Sequence, residues 1–460
     1  MLSVEETDLL CRVGKGTPMG ELMRRYWLPV AYGPELPPDG QPMRVRVLGE
    51  DLLGWRDSNG VPSFVEERCP HRGASLYFGR NEEAGLRCVY HGWKFDTTGQ
   101  CIDMPNEPEA SNFKTKVKIV AYKGADYGGI VWAYMGPDQQ NAPEIPRFEW
   151  GEVPENQLVH GHRLIYECNW MQALEGELDT THVYFLHARL KAEDSPKYGL
   201  YLDEKRAKFH LVETDVGLSY GAERPEGPDN IYWRTTHFLF PFYGMWPGAS
   251  DDGATPLSIY LPVDDYTTVH FGIVWHPSRE MGGDMYPKDE FSTEPGALGP
   301  GIGPMLPHQT GRFFPNAWPV ANKTNDFMMD VDTKRERSMT GIPTVRLQDD
   351  AVIWSMGPIM DRTKEHLGTA DATVIKVRRK LIAAAKALEE HGTVPPGVED
   401  RDLYHVRSVA TVLPKELDWE RALDDWHHCR TNEHPNPGFV GKRAVLERPV
   451  TGSDLGRPRG

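Results

Sequence analysis

The 460-residue sequence predicts an α+β fold, with a small all-β domain near the N terminus and a larger mixed domain after it. Three observations predict this division. From Arg44 to Gly136 the chain reads as short strands and turns: "MRVRVLG" alternates, "DSNG" is a turn, and "GLRCVYH", "FDTTGQCIDM" and "GGIVWAYMG" keep the rhythm. The proline-punctuated stretch "GPDQQNAPEIPRFEWGEVPEN" then places a boundary near residue 150, giving domains of 1–150 and 151–460. Beyond it, "NIYWRTTHFLFPFYGMW" and "TTVHFGIVWH" carry the β-branched and aromatic residues of sheet strands, whereas "DATVIKVRRKLIAAAKALEEHG" is a helix stopped at Gly392.

The remaining elements follow in order. "SVEETDLLCRVGKGTPMGELMRRYW" opens with Ser3 and Glu6 at capping-box spacing and continues with apolar residues at helical intervals. Inside it, "GKGTPMG" imitates a phosphate-binding loop, but no strand precedes it and Pro18 interrupts it. "NWMQALEGELDTTHVYFLH" is helix-like, and "MGGDMYPKDEFSTEPGALGPGIGPML" reads as a long loop. The tail "RPVTGSDLGRPRG" reads as disordered.

Lys and Arg number 51 against 67 Asp and Glu, a net charge of −16, which argues against a broad surface for nucleic acid or anionic membrane. A local basic pocket for an acidic small molecule stays open. No run of about 18 apolar residues occurs, and "MLSVEETDLL" lacks the layout of a signal peptide. The cytoplasm is the expected compartment. Cysteines at 11, 69, 88, 101, 168 and 429 show no disulfide framework.

Four metal-ligating side chains occur in two short loops. "RCPHRGASL" holds Cys69 and His71, and "RCVYHGWKF" holds Cys88 and His91, with sixteen residues between His71 and Cys88. One zinc ion would satisfy all four, although structural zinc sites usually pair like with like in each half. A [2Fe–2S] cluster is the other reading, with two thiolates on one iron and two imidazoles on the other. Gly73 and Gly92 favour the cluster, because such loops must wrap closely.

"CPHRGASL" and "CVYHGWKFDTTGQC" resemble the Rieske motif of Rieske non-heme iron oxygenase α subunits. That resemblance implies an all-β Rieske domain followed by a catalytic domain with an antiparallel sheet flanked by helices. It also implies a mononuclear Fe(II) site.

"ELDTTHVYFLH" supplies Asp179, His182 and His187. On an unbroken helix the two histidines would point roughly 140° apart, so aiming both at one metal requires a break or bulge. A non-heme Fe(II) site needs two histidines and a carboxylate on one face. The segment from Asn169 is similar to the family's N…D-x-x-H-x₄-H pattern. By that resemblance His182 and His187 are iron ligands, and Asp179 bridges one subunit's Rieske histidine to the neighbour's iron ligand. The third ligand is then Asp349 of "RLQDDAVIW", in preference to Asp350; Trp354 stands where relatives often carry an acid.

"RVGKGTPMGELMRRYWLPV", "CNWMQALEGELDTTH", "FPNAWPVANKTNDFMMD" and "SMGPIMDRTKEHLG" resemble the phthalate 4,5-dioxygenase group, whose α subunits work without a β subunit. The resemblance implies an NAD(P)H-dependent flavin/iron-sulfur reductase as partner, a homotrimer or stacked trimers, and O₂ with a small aromatic acid as substrates. The expected reaction is a phthalate-like cis-dihydroxylation, with O-demethylation of a methoxylated acid as the alternative. A Rieske electron carrier without oxygenase activity is the alternative from another class. Arg234, among strand aromatics, is the candidate clamp for a substrate carboxylate, and His237, His270 and His276 are candidate pocket residues.

Overall fold

The computed structural model describes residues 1–188, 190, 206–248, 253–281 and 303–436. Most of the Gly/Pro-rich loop and the C-terminal tail lie outside the described residues. Helix α1 (Val4–Cys11) carries the capping box expected of Ser3 and Glu6, and α2 (Pro18–Met23) starts on Thr17 with Pro18 at its first turn.

Strands β1 (Trp27–Tyr32), β2 (Met43–Val47), β3 (Glu50–Arg56) and β4 (Pro62–Glu66) come next. The short strands β5 (Arg80–Glu82), β6 (Gly85–Arg87), β7 (Lys94–Phe95) and β8 (Cys101–Asp103) form a sheet of their own. With β9 (Ala121–Tyr127) and β10 (Ile130–Tyr134), the first four make a six-stranded sheet in the order β1-β10-β9-β4-β3-β2. Every pairing in both sheets is antiparallel. The boundary stretch is not loose: Phe148 and Trp150 are fully buried, and Phe148 packs 5.1 Å from the ring of Tyr243.

The larger region is built on an eight-stranded antiparallel sheet. It comprises β11 (Leu158–Tyr166), β12 (Lys208–Thr214), β13 (Gly217–Glu226), β14 (Asn230–Leu239), β15 (Tyr243–Met245), β16 (Thr255–Asp264) and β17 (Thr267–Trp275), with β18 (Ala410–Pro414) paired to β14. β14 and β16 are buried almost throughout, with the polar Arg234, Thr235, Thr236 and His237 of β14 included. Helix α3 (Trp170–Leu178) lies across β14–β17.

The helix-like segment expected over residues 169–187 divides here. Asp179 takes an extended backbone, its carboxylate accepts the N–H groups of Thr181 and His182, and a short α4 (Val183–Leu186) follows. Those local bonds compete with helix continuation, which is why the chain turns at an aspartate.

Helices α5 (Val331–Glu336), α6 (Val345–Ser355), α7 (Ala372–His391) and α8 (Trp419–His427) complete the layer. α6 packs beside α3, while α7 packs on α1 and α2 and ends at Gly392, whose φ of 68° needs a glycine. A buried ion cluster pins α3 in place: Glu175 binds Arg362 and Arg378, and Arg378 also binds Glu365. Arg362 reaches Cys11 Sγ at 3.3 Å, and Asn169, which caps α3, donates to the Cys11 carbonyl at 2.9 Å.

Candidate metal centres

The two Cys/His loops are built alike. The first follows β4, and the second is the tip between β6 and β7. Cys69 N–H donates to Ala74 O and Gly73 N–H to Cys69 O, both at 2.9 Å; Cys88 N–H donates to Trp93 O at 2.8 Å and Gly92 N–H to Cys88 O at 2.9 Å. Closing each turn takes a positive φ, 76° at Gly73 and 81° at Gly92, which glycine adopts without strain. Cys69 and Cys88 are buried side by side, and the His71 and His91 rings meet at the surface with centroids 4.4 Å apart. Trp93 stacks on His71 at 4.4 Å and donates to Asn106.

This thiol pair and imidazole pair fit a [2Fe–2S] cluster. A tetrahedral zinc would draw all four donor atoms within about 4 Å of one another. Among the described residues, the group so gathered (within 4.8 Å) is a different one, His182, His187 and Asp349. Burial, reinforced by the neighbouring Cys88, pushes the Cys69 thiol up to about 12, so metal binding here must displace protons.

The second group forms where α4 meets α6. The break at Asp179 turns His182 and His187 toward each other, with ring centroids 5.2 Å apart. Asp349 Oδ1 lies 3.5 Å from His182 Nε2 and 3.2 Å from His187 Nε2. His187 Nδ1 contacts Gln348 Oε1 at 2.8 Å, which leaves Nε2 facing the carboxylate. Asp179 Oδ2 sits 3.6 Å from His182 Nδ1.

The charges of the three groups depend on one another. Burial disfavours charge on Asp349, yet His187 and His182 hold its carboxyl far below the usual range. Burial likewise works against protonation of His182, and Asp179 with Asp349 outweigh it, raising the imidazole to about 10. Two imidazoles and a carboxylate at this spacing could hold a divalent iron with positions left open. Asp350 is not part of the group: it is buried, one of its carboxyl oxygens has no partner among the described residues, and burial followed by Glu167 raises its pKa.

Residue pattern alone missed two neighbours of this group. Gln348 gives no spacing signal. Arg346, three residues before Asp349 on the same helix face, gives one; its Nη1 lies 3.0 Å from Glu177 and 3.9 Å from Asp349 Oδ2. Arg234 is buried on β14 with Nη2 on the Pro247 carbonyl at 3.1 Å. His237 bonds Ser219 and the Arg407 carbonyl, and His276 Nδ1 accepts from Ser278 and Arg279. His270 lies on the sheet face near Arg346 and contacts His162 at 3.0 Å.

Comparison with known proteins covers both parts of the chain. Residues 26–118 match the Rieske [2Fe-2S] domain family, and residues 133–435 match the family described as LigXa C-terminal domain like. The chain is a Rieske oxygenase α subunit of the phthalate dioxygenase-like group. It is 39% identical to the 3-chlorobenzoate-3,4-dioxygenase oxygenase subunit of Comamonas testosteroni, over 92% of this chain and 98% of that one. Identity to the phthalate 4,5-dioxygenase oxygenase subunit of Pseudomonas putida is 36%, over 92% and 97%. A 5,5'-dehydrodivanillate O-demethylase oxygenase subunit from Sphingobium sp. is 33% identical over 83% and 80%. The solved structure of Pseudomonas putida CBB5 NdmA shares the fold, with a TM-score of 0.56 at 19% identity over 87% of this chain and 99% of that one. Rieske oxygenases of this kind carry a [2Fe–2S] cluster and a mononuclear non-heme iron, so the reading as an electron carrier alone falls away.

Proposed function

We propose that this Rieske oxygenase hydroxylates a small aromatic carboxylate by phthalate-like cis-dihydroxylation. Cys69, His71, Cys88 and His91 hold the cluster on the N-terminal domain, residues 1–150. His182, His187 and Asp349 hold the iron on the catalytic domain, residues 151–460. The observation that carries the reading is the gathering of those last three donors within 4.8 Å, on a chain of which two full-length relatives are named for chlorobenzoate and phthalate. The relative named for O-demethylation supports a second reading, removal of a methyl group from a methoxylated acid.

The cluster supplies single electrons and the iron activates O₂. The chain's own residues arrange the rest. Gln348 fixes the His187 tautomer, Thr181 and the His182 N–H steady the Asp179 carboxylate, and Asp179 stands against His182 as the bridge by which electrons arrive. Exposed Tyr90 lies against His91, and exposed Phe113 packs on Trp93, which stacks on His71; with the half-exposed histidines they make an apolar rim suited to a neighbouring subunit. Phe185 stands exposed on α4 beside the other end of that path. A closed homotrimer, or two stacked trimers, would bring the two faces together. An NAD(P)H-dependent flavin/iron-sulfur reductase would feed the cluster, and the cytoplasm suits these partners. No helix among the described residues is long and apolar enough to cross a membrane.

A single turnover of chemically reduced protein with labelled O₂, on phthalate and a methoxybenzoate, tests the function. A cis-diol with two labelled oxygens is expected; formaldehyde and a phenol would establish the second reading instead. His182→Ala is expected to keep the cluster spectrum and lose turnover, and retained turnover would remove His182 from the iron site.

A further inference from the structure

The small sheet that carries the second Cys/His loop also carries a group of charges with no part in binding metal. β6 leads into that loop and β7 leads out of it. Arg80, Arg87, Lys94 and Asp103 pair in one row across β5, β6, β7 and β8, while Glu82 ends β5 and Glu83 follows it. Arg80 binds Glu82 at 2.6 Å, and Lys94 binds Glu83 at 3.1 Å. Arg87 binds two carboxylates, Glu82 at 3.2 Å and Asp103 at 2.8 Å. Three cations thus meet three carboxylates, and their charges balance.

Arg87 is the member of this group joined to the loop itself. It precedes Cys88 in the chain, and its Nη1 donates to the Gly92 carbonyl at 2.7 Å. Cys88 and His91 lie between those two attachments, so the guanidinium closes the base of the loop. The same Nη1 donates to Asp103, and the carbonyl and the carboxylate together take both of its N–H groups. Arg87 and Asp103 keep 22% and 44% of their side chains exposed, so water weakens their fields without abolishing them.

Reduction adds one negative charge to a cluster held by this loop. A cation at the base of the loop favours that step, and a carboxylate beside it opposes the step. While both are present the two effects offset each other. Removing either one leaves the other uncompensated.

We propose that Arg87 and Asp103 set the reduction potential of the cluster as an opposed pair, with Arg87 also bracing the loop of Cys88 and His91. This rests on the assignment of those two residues as cluster ligands and adds a control on how readily the cluster takes an electron.

The test is an anaerobic redox titration of the full-length protein with its cluster, followed by visible circular dichroism, with iron and sulfide measured in every sample. Arg87→Gln is expected to lower the equilibrium constant for one-electron reduction about threefold to tenfold, a fall of about 28–59 mV. Asp103→Asn is expected to raise it by a similar factor. Arg87→Lys, which keeps the charge, and the double variant Arg87→Gln/Asp103→Asn, which removes both charges, are expected within about twofold of wild type. A purely structural role would not give shifts of opposite sign. Asp103→Asn leaves the bond from Arg87 to Gly92 in place and carries the test should Arg87→Gln lose its cluster. Shifts of the same sign in the two single variants, or both within twofold of wild type, overturn the pair. Wild type whose reduced cluster lacks the electron paramagnetic resonance signature of mixed thiolate and imidazole ligation overturns the ligand assignment, and the pair with it.

Discussion

Replacing Gln348 by leucine tests whether the iron site is organised from behind its ligands. Gln348 is fully buried and makes two bonds, 2.8 Å from Oε1 to His187 Nδ1 and 3.0 Å from Nε2 to the Ile342 carbonyl. Leucine fills much of the same space and removes both. The His187 Nδ1–H then has no acceptor, and the ring loses the contact that directs Nε2 at Asp349. Losing such a support typically costs ten- to a hundredfold in metal affinity, or about 1.4–2.7 kcal/mol. The assay is an anaerobic Fe(II) titration of protein stripped of its mononuclear iron, with the cluster retained as an internal check on folding. Gln348→Glu keeps an acceptor at the same place and is expected to bind within about threefold of wild type. Should the leucine variant bind Fe(II) within twofold of wild type, Gln348 is a packing residue and the reasoning fails.

Two further outcomes follow from neighbouring chemistry. Asp349→Asn is expected to lose Fe(II) binding and turnover. Asp350→Asn, where burial already favours an uncharged side chain, is expected to retain both; iron analysis and a single-turnover assay would separate them. His237 is fully buried, and burial lowers its pKa to about 4 against 6.5 for an ordinary histidine. The unfolded chain takes up that proton near pH 6.5 and the folded chain only near pH 4. The stability His237 contributes is therefore whole above pH 6.5 and declines as pH falls toward 4, by about 2 kcal/mol between pH 7 and pH 5. Urea unfolding at the two pH values, with and without His237→Gln, should show a shallower decline in the variant; equal slopes would place the pH sensitivity elsewhere.

The cluster loops were legible because cofactor chemistry fixes residue type, spacing and turn together. Cys69, His71, Cys88 and His91, with Gly73 and Gly92 behind them, leave few alternatives in sequence. The same holds for the Ser3 cap and the Gly392 stop, both local events. The break in the helix at Asp179 was legible as a need, since His182 and His187 point apart on a regular helix, but the Asp179 carboxylate that makes the turn was not. Gln348 was not legible at all, and Arg346 only through its spacing from Asp349. Their roles depend on α6 crossing near α3 and the sheet, and no local pattern encodes that crossing. Arg234 drew attention through its aromatic neighbours, a feature that marks a sheet interior as readily as a binding pocket. The preference for Asp349 over Asp350 came from the family register, and the structure gives it a physical reason: adjacent residues on a helix point about 100° apart, and Asp349 is the one beside the histidines.

The seating of α1 and α2 on α7 ties the order of the catalytic region to contacts between distant parts of the chain. The two N-terminal sheets are closed within residues 27–134. The docking of α7 on α1 and α2, and the anchoring of Asn169 to Cys11 at the head of α3, join segments far apart in sequence. Contacts of that kind are the slower ones to form, so the head of α3 is expected to order after the N-terminal sheets when the protein folds.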